Sequence, residues 1–161
     1  MLKLNLGCGG DKREGWVNID INPKFNPDRV MDVRKLDYPD NSVDEILALD
    51  ILEHFSYNET LSILKEWVRV LKPSGIIAIR VPSLKRIFER YLGINVNKYS
   101  HKLNGEQAAK ALYGSQEDEY TYHKAGFDRE YLVKLLTKVG ITVFEVWDDN
   151  CNLFVKGRKN G

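Results

Sequence analysis

The sequence predicts a doubly wound α/β sheet, and three observations carry that prediction. Short apolar runs alternate with stretches of helical periodicity. The first run passes straight into glycines, and several runs end in an aspartate. Residues 2–6 are apolar-rich and lead into Leu6-Gly7-Cys8-Gly9-Gly10, which reads as a buried strand and a sharp turn. Residues 16–20 form a second strand ending in Asp20, residues 29–31 a brief third ending at Asp32, and residues 44–49 a fourth ending at Asp50. A helix follows. Ser56 and Glu59 have capping-box spacing, Leu61, Leu64, Trp67, Val68 and Leu71 recur at helical intervals, and Lys72-Pro73-Ser74-Gly75 stops it. Residues 75–81 are apolar almost throughout, as in a strand covered on both faces. Residues 84–127 are polar and tyrosine-rich, with helical signals at 84–92 and 106–113. Asp128 caps a further helix with Leu132, Leu135, Leu136 and Val139 on one face and Gly140 at its end. Residues 141–147 and 152–157, four residues apart, form a hairpin and imply an antiparallel strand at the C-terminus. The sheet should have about seven strands, mostly parallel.

Bulk properties narrow the function classes. The chain of 161 residues fits a single domain spanning 1–161. A net charge of +1 gives no electrostatic reason to expect a nucleic-acid partner. The two cysteines, Cys8 and Cys151, have neither metal-ligand spacing nor disulfide-framework spacing, so no metal site is expected and a reduced, cytoplasmic setting is the default. No apolar run approaches the roughly 20 residues that cross a membrane, and residues 1–6 lack the apolar region of a signal peptide.

Glycines are needed where a backbone turns sharply or admits a ligand closely, but a tight turn serving no ligand explains them equally well. Asp20, Asp32 and Asp50 shift the balance. Each falls at the carboxyl end of a strand, the edge where open α/β sheets bind ligands, and an acid ending the second strand can accept hydrogen bonds from both ribose hydroxyls.

Four segments carry a resemblance: LNLGCGG at 4–10, NID at 18–20, MDVRKLDYPDNSVDEILALDILEHF at 31–55 and LKEWVRVLKPSGIIAIRVPS at 64–83. In these the chain resembles the class I S-adenosylmethionine (SAM)-dependent methyltransferases with a methyltransferase-11-like domain, which are Rossmann-like. GFDREYLVKLLTKVGI at 126–141 is similar to a late helix of that family. The resemblance implies S-adenosyl-L-methionine as cofactor and a small-molecule or glycan-precursor acceptor. It implies that Gly7, Cys8 and Gly9 carry the methionine part, that Asp20 with Ile21 holds the ribose, that Asp32 and Val33 flank the adenine, and that Asp50 and Leu52 lie near the methyl. The family usually has an acid where this chain has Asn5, whose amide oxygen can still accept a hydrogen bond. The third glycine of the loop is replaced by Asp11. Residues 11–16 leave little room for the usual first helix, since parallel crossovers normally take about a dozen residues or more.

Relatives often cover SAM with N-terminal helices. Here the insert at 84–127 is expected to act as lid and substrate-recognition element. Among the three histidines, His54 and His123 are the candidate catalytic bases, and His101 reads as a surface residue. Tyr120 and Tyr122 line a pocket or pack the insert. An uncovered cofactor edge, with Trp147 and Phe154 on the terminal strands, offers a homodimer face. Two other readings compete. A nicotinamide dehydrogenase needs glycine or alanine where the loop has Lys12, and a first helix to carry its pyrophosphate. A non-catalytic SAM-binding module would keep the fold without the chemistry.

Overall fold

The computed structural model describes residues 1–97 and 100–161. The chain runs β1 (Lys3–Leu6), β2 (Val17–Asp20), β3 (Arg29–Val30), β4 (Val43–Leu49), α1 (Tyr57–Val70), β5 (Leu71–Pro82), α2 (Leu84–Leu92), α3 (Gly105–Tyr113), α4 (Arg129–Lys138), β6 (Ile141–Asp149) and β7 (Asn152–Lys159). The strands form one sheet in the order β3-β2-β1-β4-β5-β7-β6. Pairing is parallel from β3 through β5 and antiparallel across β5–β7 and β7–β6, so β7 alone runs against the rest. The expected fold class is therefore the observed one.

Two boundaries differ from the sequence reading. Leu71, assigned by periodicity to the first helix, is its C-cap and opens β5, pairing with Val43. The register then shifts between Val43 and Glu45, and Ser74 takes φ 63°, so LKPSG is an irregular strand entry as well as a helix stop. No helix forms between β1 and β2. Residues 11–16 are instead stapled from below by two buried asparagines. Asn5 Nδ2 donates to the Asp11 carbonyl (2.8 Å) and to Asn18 Oδ1 (3.0 Å). Asn18 Oδ1 also accepts from Arg13 N (2.8 Å), while its Nδ2 donates to the Arg13 carbonyl (3.1 Å). Buried side-chain amides thus satisfy backbone groups that a helix would have satisfied within itself.

The main core lies between sheet and helices, with Leu4, Leu6, Ile19, Ile46, Ile77 and Ile79 of the strands meeting Ile63, Leu64 and Trp67 of α1. α1 also anchors the loop after β3. The fully buried Trp67 donates Nε1–H to the Val33 carbonyl (3.0 Å), Glu66 Oε1 accepts from Leu36 N (2.8 Å), and Arg69 reaches the carbonyls of Leu36 (3.0 Å) and Tyr38 (2.9 Å). The segment 84–127 has a small core of its own, with Ile87, Leu103 and Ala108 packed against Ala111, Leu112 and Cys151. At the far edge of the sheet, Trp147 stacks on Phe154 at 4.9 Å between ring centroids. None of the described helices is long and apolar enough to cross a membrane.

Replacing Trp67 by Ala removes the largest fully buried side chain, and losses of this kind cost about 3–5 kcal/mol. Trp67→Phe keeps most of the packing but leaves the Val33 carbonyl unpaired, a penalty of about 1–3 kcal/mol. Urea unfolding should rank the three proteins in that order. Equal midpoints for wild type and Trp67→Phe would remove the hydrogen bond from the account.

Candidate functional site

The loops after β1, β2, β3 and β4 meet at the carboxyl edge of the sheet and enclose a cavity of about 210 Å³. Its walls are apolar where Ile21, Met31, Val33, Ile51 and Phe55 face it. Asp32, Arg34 and Glu59 form a polar side, and Glu119, Tyr120 and Lys124 of the insert close over it.

The turn after β1 requires its glycines for different reasons. Gly7 has φ 63°, and a Cβ there would stand 2.6 Å from the Ile51 side chain. Gly9 has φ 48° but would put its Cβ into open space. Two further bonds shape this turn. Cys8 N donates to the Ile19 carbonyl (3.0 Å), and Gly9 N donates to Asp20 Oδ2 (2.8 Å). Asp20 Oδ1 accepts from Asn22 N (2.8 Å), so one nearly buried carboxylate ties the glycine turn to the end of β2. Burial and the neighbouring Asp20 charge push the Cys8 thiol above its ordinary pKa, leaving an inert thiol rather than a thiolate.

Asp32 reaches the cavity as half of an ion pair. Arg34 donates from Nε (2.9 Å) and Nη2 (2.7 Å) to its Oδ2 and holds its carboxyl below the usual range. Arg34 Nη1 also lies 3.3 Å from Glu59 Oε1. Asn5 points away, into the 11–16 staple, and uses its amide as donor. Leu52 is fully buried in the core, and Ile51 takes the wall position instead. Asp50 has φ 53° and is clasped by Arg80, whose Nε donates to Oδ1 (2.9 Å) and whose Nη2 contacts Oδ2. It lines a second cavity with Glu53, Pro82 and His123.

His54 and His123, distant in sequence, stand edge to face with ring centroids 5.0 Å apart. His54 Nδ1 lies 3.1 Å from the Tyr122 carbonyl and His123 Nδ1 lies 3.2 Å from the Ala111 carbonyl. Burial lowers the pKa of both, and for His54 the neighbouring His123 adds to it. His101 is exposed. A strap from the insert brings His123 in. Lys124 N (2.7 Å) and Ala125 N (3.1 Å) both donate to the Glu53 carbonyl, and Gly126 N donates to Tyr57 Oη (3.0 Å). Sequence reasoning missed Arg34, Glu53, Lys124 and Glu119. Glu59 was visible only as half of a capping box, and here Oε2 takes Ser56 N (3.1 Å) while Oε1 faces Arg34.

The profile of a family described as a methyltransferase domain matches residues 4–79. The fold and its glycine turn agree with that match. Over those residues the chain is similar to the SAM-dependent methyltransferases, and its fold is theirs. SAM is the cofactor of this family. Among solved structures, a SAM-dependent methyltransferase from Methanosarcina mazei is similar with TM-score 0.69 at 20% identity, over 98% of this chain and 92% of that one. The 1,6-didemethyltoxoflavin-N1-methyltransferase of Burkholderia thailandensis, solved with 1,6-didemethyltoxoflavin and S-adenosylhomocysteine, gives TM-score 0.67 at 14% identity, over 99% and 71%. A chain in the complex of the Haloferax volcanii Trm112 methyltransferase activator with a putative methyltransferase gives 0.68 at 13%, over 99% and 83%. No curated protein sequence matches the chain.

The two positive-φ glycines of the turn after β1 separate fold from ligand. Gly9→Ala meets no atom, so it should cost only about 1 kcal/mol for its left-handed backbone while obstructing whatever lies over the turn. Gly7→Ala forces Ile51 aside and should cost more. Thermal unfolding with and without S-adenosylhomocysteine checks both. Full ligand stabilisation in Gly9→Ala would show that nothing binds over that turn.

Proposed function

We propose that this chain transfers the methyl group of SAM to a small-molecule acceptor held beneath the segment 84–127. The observation that carries the reading is the cavity itself. It lies at the carboxyl ends of parallel strands, is walled by apolar side chains on one side and acids on the other, and is roofed by the insert. The residues present suit SAM. Ile21, Met31, Val33 and Phe55 offer apolar faces for the adenine, with Asp32 at its rim. Asp20 ends β2 with a carboxylate oriented by two backbone donors and lone pairs left for ribose hydroxyls. The open space above Gly9 admits the amino-acid part, alongside Gly7 and Cys8. A dinucleotide is poorly served, because no helix N-terminus follows β1 to receive its pyrophosphate.

When bound, SAM supplies an already activated methyl on a sulfonium. The chain's task is alignment and exclusion of water, and alignment alone can contribute on the order of 7–11 kcal/mol. The insert does both by closing Tyr120, Glu119 and Lys124 over the cavity, latched by the Lys24–Asp118 ion pair (2.8 Å). In each neutral histidine Nδ1 carries the hydrogen, since a carbonyl only accepts, and Nε2 keeps its lone pair. His54, which lines the cavity with His123 beside it, is placed to relieve the acceptor of a proton, a service worth roughly 10²–10⁴-fold.

SAM and S-adenosylhomocysteine should raise the melting temperature and NADH should not. Asp20→Asn, which keeps its shape, should reduce that rise by at least half. Radiolabelled methyl transfer to a panel of small hydroxyl and amine acceptors then tests catalysis. Binding without transfer to any of them would favour the non-catalytic module.

Lys24→Ala should scarcely change stability, as for exposed ion pairs generally. It should nevertheless speed hydrogen–deuterium exchange in residues 115–122 and the release of S-adenosylhomocysteine. Unchanged exchange would mean that the latch does not hold the roof.

A further inference from the structure

Glu53 is the unexplained residue of the site. Its carboxyl is 1% exposed and neither oxygen has a hydrogen-bond partner. Arg80 is nearby but is engaged by Asp50. A carboxyl taken out of water with nothing to accept from costs several kcal/mol, so such groups are neutralised, paired or bound to a metal. What faces Glu53 is the histidine pair. One carboxylate oxygen of Glu53 and one ring nitrogen each of His54 and His123 all lie within 4.8 Å of one another.

We propose that Glu53, His54 and His123 bind a first-row transition-metal ion, with zinc the best match. Two imidazoles and a carboxylate suit zinc and its neighbours, whereas magnesium and calcium favour all-oxygen sets. The hydrogen bonds behind the ligands point the same way. Each histidine offers Nδ1–H to a backbone carbonyl, the arrangement that fixes the tautomer and frees Nε2 in metal-binding histidines. Tetrahedral zinc with bonds of about 2.0–2.2 Å sets its ligands roughly 3.3–3.6 Å apart, so the three groups must close by about 1 Å. His123 rides on the strap at 122–126, whose backbone is bonded to Glu53, so side-chain rotation of the three ligands supplies that closure. Three protein ligands leave a coordination position open. His54 lines the first cavity while Glu53 and His123 line the second, so the open position falls between the two. An ion there would grip an oxygen or nitrogen of the acceptor and lower its pKa, replacing His54 as the agent of deprotonation. That role rests on the methyltransferase reading above; the binding of the ion does not.

The test uses the full chain stripped with EDTA, titrated with cobalt chloride without SAM and followed by visible absorption, then challenged with zinc chloride. One cobalt per chain with intense d–d bands, displaced by zinc, is expected. Glu53→Gln, which keeps size and burial, and His123→Ala should each weaken uptake by about 100-fold or more with unchanged circular dichroism. If His123→Ala fails to fold, Glu53→Gln decides alone. Absence of stoichiometric uptake at 100-fold excess metal, or equal uptake by wild type and Glu53→Gln, overturns the site. Titration of the same samples with S-adenosylhomocysteine separates the two readings. Metal uptake without nucleoside binding supports this site and counts against the cofactor cleft, and the converse result does the reverse.

Discussion

Everything on the cofactor side hangs on the carboxylate of Asp20. It receives the Gly9 and Asn22 amides, both at 2.8 Å, and so holds the turn after β1 and the turn after β2 in one frame. Hydrogen bonds from backbone N–H to an ionised acceptor are among the stronger ones a protein makes. The glycine turn needs this support because Gly7 and Gly9 both sit at positive φ and no helix follows to fix them. The two asparagine staples beneath do the remaining work, and the turn is rigid by side-chain hydrogen bonding rather than by secondary structure.

The opposite wall is fixed by different means. The loop after β3 has little regular structure, yet Val33 and Asp32 arrive at the cavity in defined positions because α1 grips that loop from behind through Trp67, Glu66 and Arg69. Helix burial and site geometry are therefore one quantity here. A mutation that loosens α1 also moves that wall of the cavity, so stability and ligand binding should fail together for core changes and apart for Gly9.

The fold was legible because its signals are local and repeated: apolar runs of the right length, capping residues at Ser56 and Asp128, and two β-rich runs separated by only four residues, which the structure tightens to a two-residue connection between β6 and β7. Leu71 misled because apolar periodicity does not say where a helix hands over to a strand. In the site, residues that end strands were found, since strand ends are visible in the pattern. Asn5 and Leu52 were carried from the family pattern, and the structure turns one toward a staple and the other into the core. Glu53 carries no signal of its own in the sequence. Its burial depends on the strap from the far insert and on the Asp50–Arg80 clasp, and contacts between such distant segments leave no periodic trace. The pairing of His54 with His123 is of the same kind, a meeting of two neutral rings that neither local segment announces.

The strap also has a thermodynamic consequence. Glu119, Tyr120 and Lys124 line the first cavity, while His123 borders the second and the backbone of 124–125 is bonded to Glu53. One segment is thus shared by the proposed cofactor cleft and the proposed metal site. Whatever free energy one ligand spends in seating that segment is spared the next, and the favour is returned in equal measure whichever comes first. Cofactor and metal ion would then bind with positive cooperativity through a short piece of backbone, with no contact between them required.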